Sequence, residues 1–65
     1  MIHGKVKRYD AKKGYGIIEA DGEEVFVHYS EVLVGNLPLR IGDEVEFELE
    51  KYEDGSGNAF AVRVV

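Results

Sequence analysis

Along residues 44–50 charged and apolar side chains alternate without a break: Glu44, Val45, Glu46, Phe47, Glu48, Leu49, Glu50. Successive side chains of a strand point to opposite faces, so this pattern sends Val45, Phe47 and Leu49 inward and leaves a column of glutamates in water. Less regular alternation between turn-forming stretches predicts further strands over residues 4–10, 14–20, 24–29 and 58–64, which with 43–51 makes five. Helical periodicity is sustained nowhere, because glycine or strict alternation interrupts every candidate window. Asp21-Gly22 is a tight hairpin signal and Asp10 to Gly14 a longer turn, so the first three strands read as a meander. Ser30-Glu31-Val32-Leu33 suits one short helical turn capped by Ser30, after which Gly35, Asn36 and Pro38 enforce an irregular connection. Asp54 to Asn58 reads as a flexible hairpin turn. The expectation is an all-β chain closed, or nearly closed, into a five-stranded barrel, which removes the open edges of a flat sheet.

At 65 residues the chain has room for one small domain, residues 1–65, with a thin core and no space for a large cofactor pocket. The absence of cysteine excludes disulfides, thiolate metal sites and cysteine nucleophiles. His3 and His28 are too far apart in sequence to make a zinc case, so no metal and no cofactor is expected. The N-terminus lacks the apolar run of a signal peptide, and no stretch approaches the roughly 18 apolar residues of a membrane span; the expected location is cytoplasmic. The net charge of −5 argues against a polyanionic partner, but its distribution reverses the argument. Residues 1–18 carry Lys5, Lys7, Arg8, Lys12 and Lys13 against Asp10 alone, while the remainder carries three basic residues against twelve acids. Such asymmetry points to a nucleic-acid face on one side.

Alternation places Tyr15 and Ile17 on one face of the second strand and Phe26 and His28 on one face of the third, with Ile18, Val25 and Val27 turned to the core. Paired through the Asp21-Gly22 hairpin, the two strands bring Tyr15, Ile17, Phe26 and His28 together outside, bordered by Lys7, Arg8, Lys12 and Lys13. Flat rings beside cations are what single-stranded nucleic acid requires, since bases stack on rings while cations follow the phosphates. Gly14 and Gly16 would leave the platform beside Tyr15 unobstructed. The competing reading buries these aromatics in the core or in a dimer interface; the valines, which already supply a core face, weigh against it.

Lys13-Gly14-Tyr15-Gly16-Ile17-Ile18 and Val25-Phe26-Val27-His28-Tyr29-Ser30 resemble the two ribonucleoprotein motifs of the bacterial cold-shock proteins, at that family's spacing. Gly4-Lys5-Val6-Lys7, Asp21-Gly22 and the strand from Gly42 to Phe47 extend the likeness over essentially the whole chain. The resemblance implies an antiparallel five-stranded oligonucleotide-binding (OB-fold) barrel that binds single-stranded RNA and DNA, as an RNA chaperone or a regulator of transcription or translation. It implies binding roles for Lys7, Lys13, Tyr15, Phe26, His28 and Tyr29; Arg8 and Ile17 join them by position. Three departures stand out: Arg8 where the family has tryptophan, Ile17 where it has a second phenylalanine, and Asn36-Leu37, in a loop one residue short, where it has another. Stacking contributes about 1 to 3 kcal/mol per base, so losing one or two platforms weakens binding by roughly tenfold to a thousandfold. The Arg8 guanidinium, planar and charged, can stack on a base and meet a phosphate, and so recovers part of this.

Catalysis is not expected. His28 and Ser30 share a strand face, but no carboxylate is placed to orient the imidazole. No Walker-type phosphate loop is present, so any opening of folded RNA is driven by mass action and not by ATP. The expected partner is single-stranded RNA or DNA, with no membrane and no small-molecule substrate, bound by a monomer; the long connection from Leu33 to Arg40 is where a strand-swapped dimer would exchange. The alternative is a barrel that has lost nucleic-acid binding and serves as a protein interaction module, in keeping with the acidic majority and the missing tryptophan.

Overall fold

The computed structural model describes residues 1–33, 35 and 38–65. Its five strands are β1 (Ile2–Asp10), β2 (Tyr15–Ala20), β3 (Glu23–His28), β4 (Glu44–Lys51) and β5 (Gly57–Val64), each where the alternation pattern predicts one. They close into a barrel in the order β1-β2-β3-β5-β4. Asp21 and Gly22 both take positive φ, 52° and 78°, as the two-residue hairpin between Ala20 and Glu23 requires.

Four of the five seams are antiparallel, but β3 and β5 run parallel, pairing Phe26 with Asn58 and Val27 with Ala59. The reason is topological. Strands of alternating direction cannot close a ring of odd number, so a five-stranded barrel must contain a parallel seam; the expectation of an antiparallel barrel needs this one exception.

The core is the inward face of every strand: Val6, Ile18, Val25, Val27, Val45, Phe47, Ala59 and Val62, with Val32 and Leu39 closing one end. Phe47 is its largest fully buried side chain, as the alternation in β4 requires. Ile2, Tyr9 and Leu49 pack half-buried around this cluster. The register of β1 against β2 shifts between Val6 and Arg8, leaving Lys7 as the bulged residue, while the Val6 amide donates to the Asp43 carbonyl and the Gly42 amide to the Val6 carbonyl.

The short helical turn is a 3-10 turn over Tyr29–Glu31, and its cap is His28 and not Ser30. The imidazole Nδ1 of His28 accepts from the Ser30 amide at 3.3 Å, the role an Asn or Asp side chain fills at other helix starts. Among the described residues no helix is long and apolar enough to cross a membrane.

Candidate nucleic-acid interface

Strand pairing arranges the outer face in rows. Arg8 stands opposite Ile17 and Ile17 opposite Phe26; one step along, Asp10 stands opposite Tyr15 and Tyr15 opposite His28. Since Ile18, Val25 and Val27 are buried, all these neighbours point outward. Tyr15, Phe26 and Tyr29 are 45%, 53% and 53% exposed although the core beneath them is complete, so the reading that buries them in this chain's core does not hold. Ile17 is only half-buried, and fills the gap between Arg8 and Phe26 with aliphatic surface.

The two glycines of β2 and its preceding turn do not act as openings in this platform. A Cβ on Gly16 would lie 2.2 Å from the Arg8 carbonyl oxygen and 2.8 Å from the Tyr9 Cα, so Gly16 is where β1 presses closest on β2. Gly14, at φ 77°, lies beneath the Tyr29 ring, whose Cδ1 would sit 2.6 Å from a Cβ there. The Tyr29 amide donates to the Gly14 carbonyl at 2.7 Å, so this contact fixes the ring at the head of the 3-10 turn. The rings of His28 and Tyr29 lie 4.6 Å apart and tilted by 39°, which continues the aromatic surface off the sheet and onto the turn.

His28 Nδ1 also lies 2.8 Å from Ser30 Oγ. Because Nδ1 accepts from the Ser30 amide, the hydroxyl is the donor in this second contact and the imidazole proton is assigned to Nε2. The pair is a turn cap, in which Nδ1 accepts from both the amide and the hydroxyl of Ser30.

The cations divide into two groups. Lys7 is paired with Glu24 and lies 3.9 Å from Glu19; the hydrogen bond with Glu24 raises the Lys7 pKa and lowers that of the carboxylate. Lys12 and Lys13 project from the β1–β2 turn, where both backbone amides donate to Asp10 Oδ1, at 3.0 and 3.2 Å. Lys13 is thus beside the platform with its side chain exposed, whereas Lys7 reaches it only by leaving carboxylates behind. Asn36-Leu37 lies outside the described residues.

Two further aromatic residues were not singled out from the sequence. Tyr9 points between the barrel and the turn, where it lines a cleft of about 420 Å³ with Lys12, Lys13, Gly14, Tyr29 and Pro38. Its position is set by the pairing of Tyr9 with Gly16, which alternation alone does not reveal. Phe60 projects from β5 on the outer face, at 37% exposure. An apolar residue in a strand reads as core by default; only the pairing of Ala59 with Leu49 turns Phe60 outward.

The family model for the "cold-shock" DNA-binding domain matches residues 2–65. A cold shock-like protein of Thermotoga maritima is 46% identical over 66 aligned positions, covering 98% of each chain. Cold shock protein CspA of Staphylococcus saprophyticus is 41% identical, covering 98% of this chain and all of the relative. A solved structure described as drosophila Unr CSD456 superimposes with a TM-score of 0.80 at 24% identity, over 98% of this chain and 26% of that one, which supports the fold. A barrel of this topology, matched by the family model along almost its whole length and by near full-length relatives at 41–46% identity, belongs to the cold-shock domain family.

Proposed function

We propose that this protein binds single-stranded RNA or DNA on the outer face of β1, β2 and β3, as an ATP-independent chaperone of RNA structure. Nucleic-acid binding is the property of the family to which the chain belongs. The observation that carries the finer reading is the pair of rows, Arg8–Ile17–Phe26 and Tyr15–His28, facing outward over a finished core. Rings on an open sheet accept unpaired bases, whose faces a duplex hides. Arg8, Lys13 and, once released from its carboxylates, Lys7 supply cations for the phosphates; Tyr29 and His28 extend the stacking surface toward the turn. Selective binding of unpaired strands draws a folded RNA toward its open form by mass action, and this needs no nucleotide hydrolysis. A cytoplasmic monomer suffices for that role.

The test is an anisotropy titration of a labelled heptathymidine at low salt, with the matched duplex as control. Saturable binding of the single strand and weak binding of the duplex is the expected result. No binding even at low salt would overturn the proposal and favour a barrel that contacts proteins instead.

A further inference from the structure

We propose that Phe60 and Glu48 form a further nucleobase subsite at the β5 border of the aromatic face, and that Glu48 there favours bases carrying an amino group, cytosine over thymine. The inference rests on the single-strand reading above and adds to it a residue pair on β4 and β5.

Ala59 is fully buried opposite Leu49, so its neighbours Asn58 and Phe60 both face outward. Phe26 is paired with Asn58 across the parallel seam. The two strands run in the same direction, so two steps along each lead from Phe26 to His28 and from Asn58 to Phe60. Phe60 therefore emerges at the His28 end of the aromatic face, where β3 leaves β5 for the 3-10 turn and before Val32 bridges Val62. A base seated there extends the stacking path of Phe26 and His28 by one position.

Directly across the next seam stands Glu48, exposed and paired in register with Phe60. Side chains so placed have Cβ atoms about 4.5 to 5.5 Å apart, close enough for the carboxylate to reach the edge of a base resting on the ring. Glu46, two residues before, is bound to Arg63 at 2.8 Å, but among the described residues no cation lies within ion-pair distance of Glu48. An ionised carboxylate only accepts hydrogen bonds. Cytosine offers its N4 amino group at the position where thymine offers the O4 carbonyl, so a carboxylate at that substituent accepts from cytosine and is opposed by thymine. It also repels phosphates, and so orients the nucleotide with its base toward β4 and its backbone toward the cations of β1.

The experiment is a set of heptathymidines in which a single cytosine is moved through the seven positions, titrated against the wild type, Phe60→Leu, Glu48→Ala and Phe26→Ala. Phe60→Leu keeps an apolar side chain and removes the ring; melting curves check that each variant folds. The expected result is one position at which cytosine tightens wild-type binding about three- to tenfold, with the gain lost in both Phe60→Leu and Glu48→Ala. Glu48→Ala removes a negative charge and so strengthens all the oligonucleotides together, but only a base contact at Glu48 makes the loss specific to one position. A flat scan in the wild type, or a gain that survives both substitutions, overturns the subsite. If binding is intact and falls with Phe26→Ala, such a result leaves the single-strand reading standing; absence of any wild-type binding overturns both.

Discussion

Ile17 and Phe26 face each other across the β2–β3 pair on the outside of the barrel, and Arg8 stands on the far side of Ile17. The row replaces an unbroken run of rings with a cation, an aliphatic side chain and one ring, so groups suited to stacking and groups suited to pairing with a phosphate are closely mixed on this face.

Phe26→Ala should lower affinity for heptathymidine by about 1 to 3 kcal/mol, roughly five- to 150-fold, while changing stability by about 1 kcal/mol or less. Phe47→Ala is the contrasting substitution. Phe47 is fully buried at the centre of the core, and its removal costs about 3 to 5 kcal/mol. A domain of this size holds a total of only about 3 to 10 kcal/mol. Parallel titrations and thermal melts separate the two effects; a largely unfolded Phe26→Ala would count against an exposed platform.

Salt should weaken binding with a slope of log affinity against log salt of about −2 to −3, which corresponds to three or four neutralised phosphates. Arg8→Trp exchanges a cation for a wider ring, and should make that slope shallower by about 0.7 while raising affinity at high salt. An unchanged slope would mean that Arg8 does not meet a phosphate.

Glu24→Gln should strengthen binding. The wild-type Lys7 ammonium is held by Glu24 and must change partners to meet a phosphate. Exposed pairs of this kind are weak, so the gain should be at most a few-fold and should vanish in a Lys7→Gln background. Titration of the two single variants and the double variant provides the cycle that tests it.

Acid should destabilise the fold through three carboxylates. Hydrogen bonds from Lys7 to Glu24, from Arg63 to Glu46 and from Ser56 to Asp54 hold each pKa below its ordinary value, 4.5 for the glutamates and 3.8 for the aspartate. Below those values the unfolded chain binds more protons than the folded one, so stability rises with pH there. The contribution is complete above about 4.5 and disappears as pH falls through the depressed folded values. Melts from neutral pH to pH 3 should therefore be level and then fall, and Glu46→Gln should make the fall shallower.

Most of the architecture was legible because its causes are local. Alternation fixed which side of β4 Phe47 occupies, and Asp21-Gly22 fixed the hairpin that brings Tyr15 opposite His28. What escaped depends on contacts between distant segments. Gly16 looked like empty space beside Tyr15, yet it is the point where the Arg8 carbonyl comes too close for any side chain. Phe60 faces outward because Ala59 pairs with Leu49, a matter of register that no single strand reveals. Ser30 looked like a helix cap by composition, but the structure assigns that place to His28, since an imidazole can accept from an amide as a carboxylate does.

The parallel seam is the shortest in the barrel, with two paired positions, and it joins residues 32 apart in sequence. The β1–β2–β3 meander is local and closes its loops at small entropic cost, while the seam must wait for a long loop to be gathered in. Until β5 arrives, the growing structure is a ribbon with two raw edges, and one of them is the backbone of Phe26 and Val27. The strand that carries Phe26 thus keeps an edge open to pairing with another chain until its distant partner arrives.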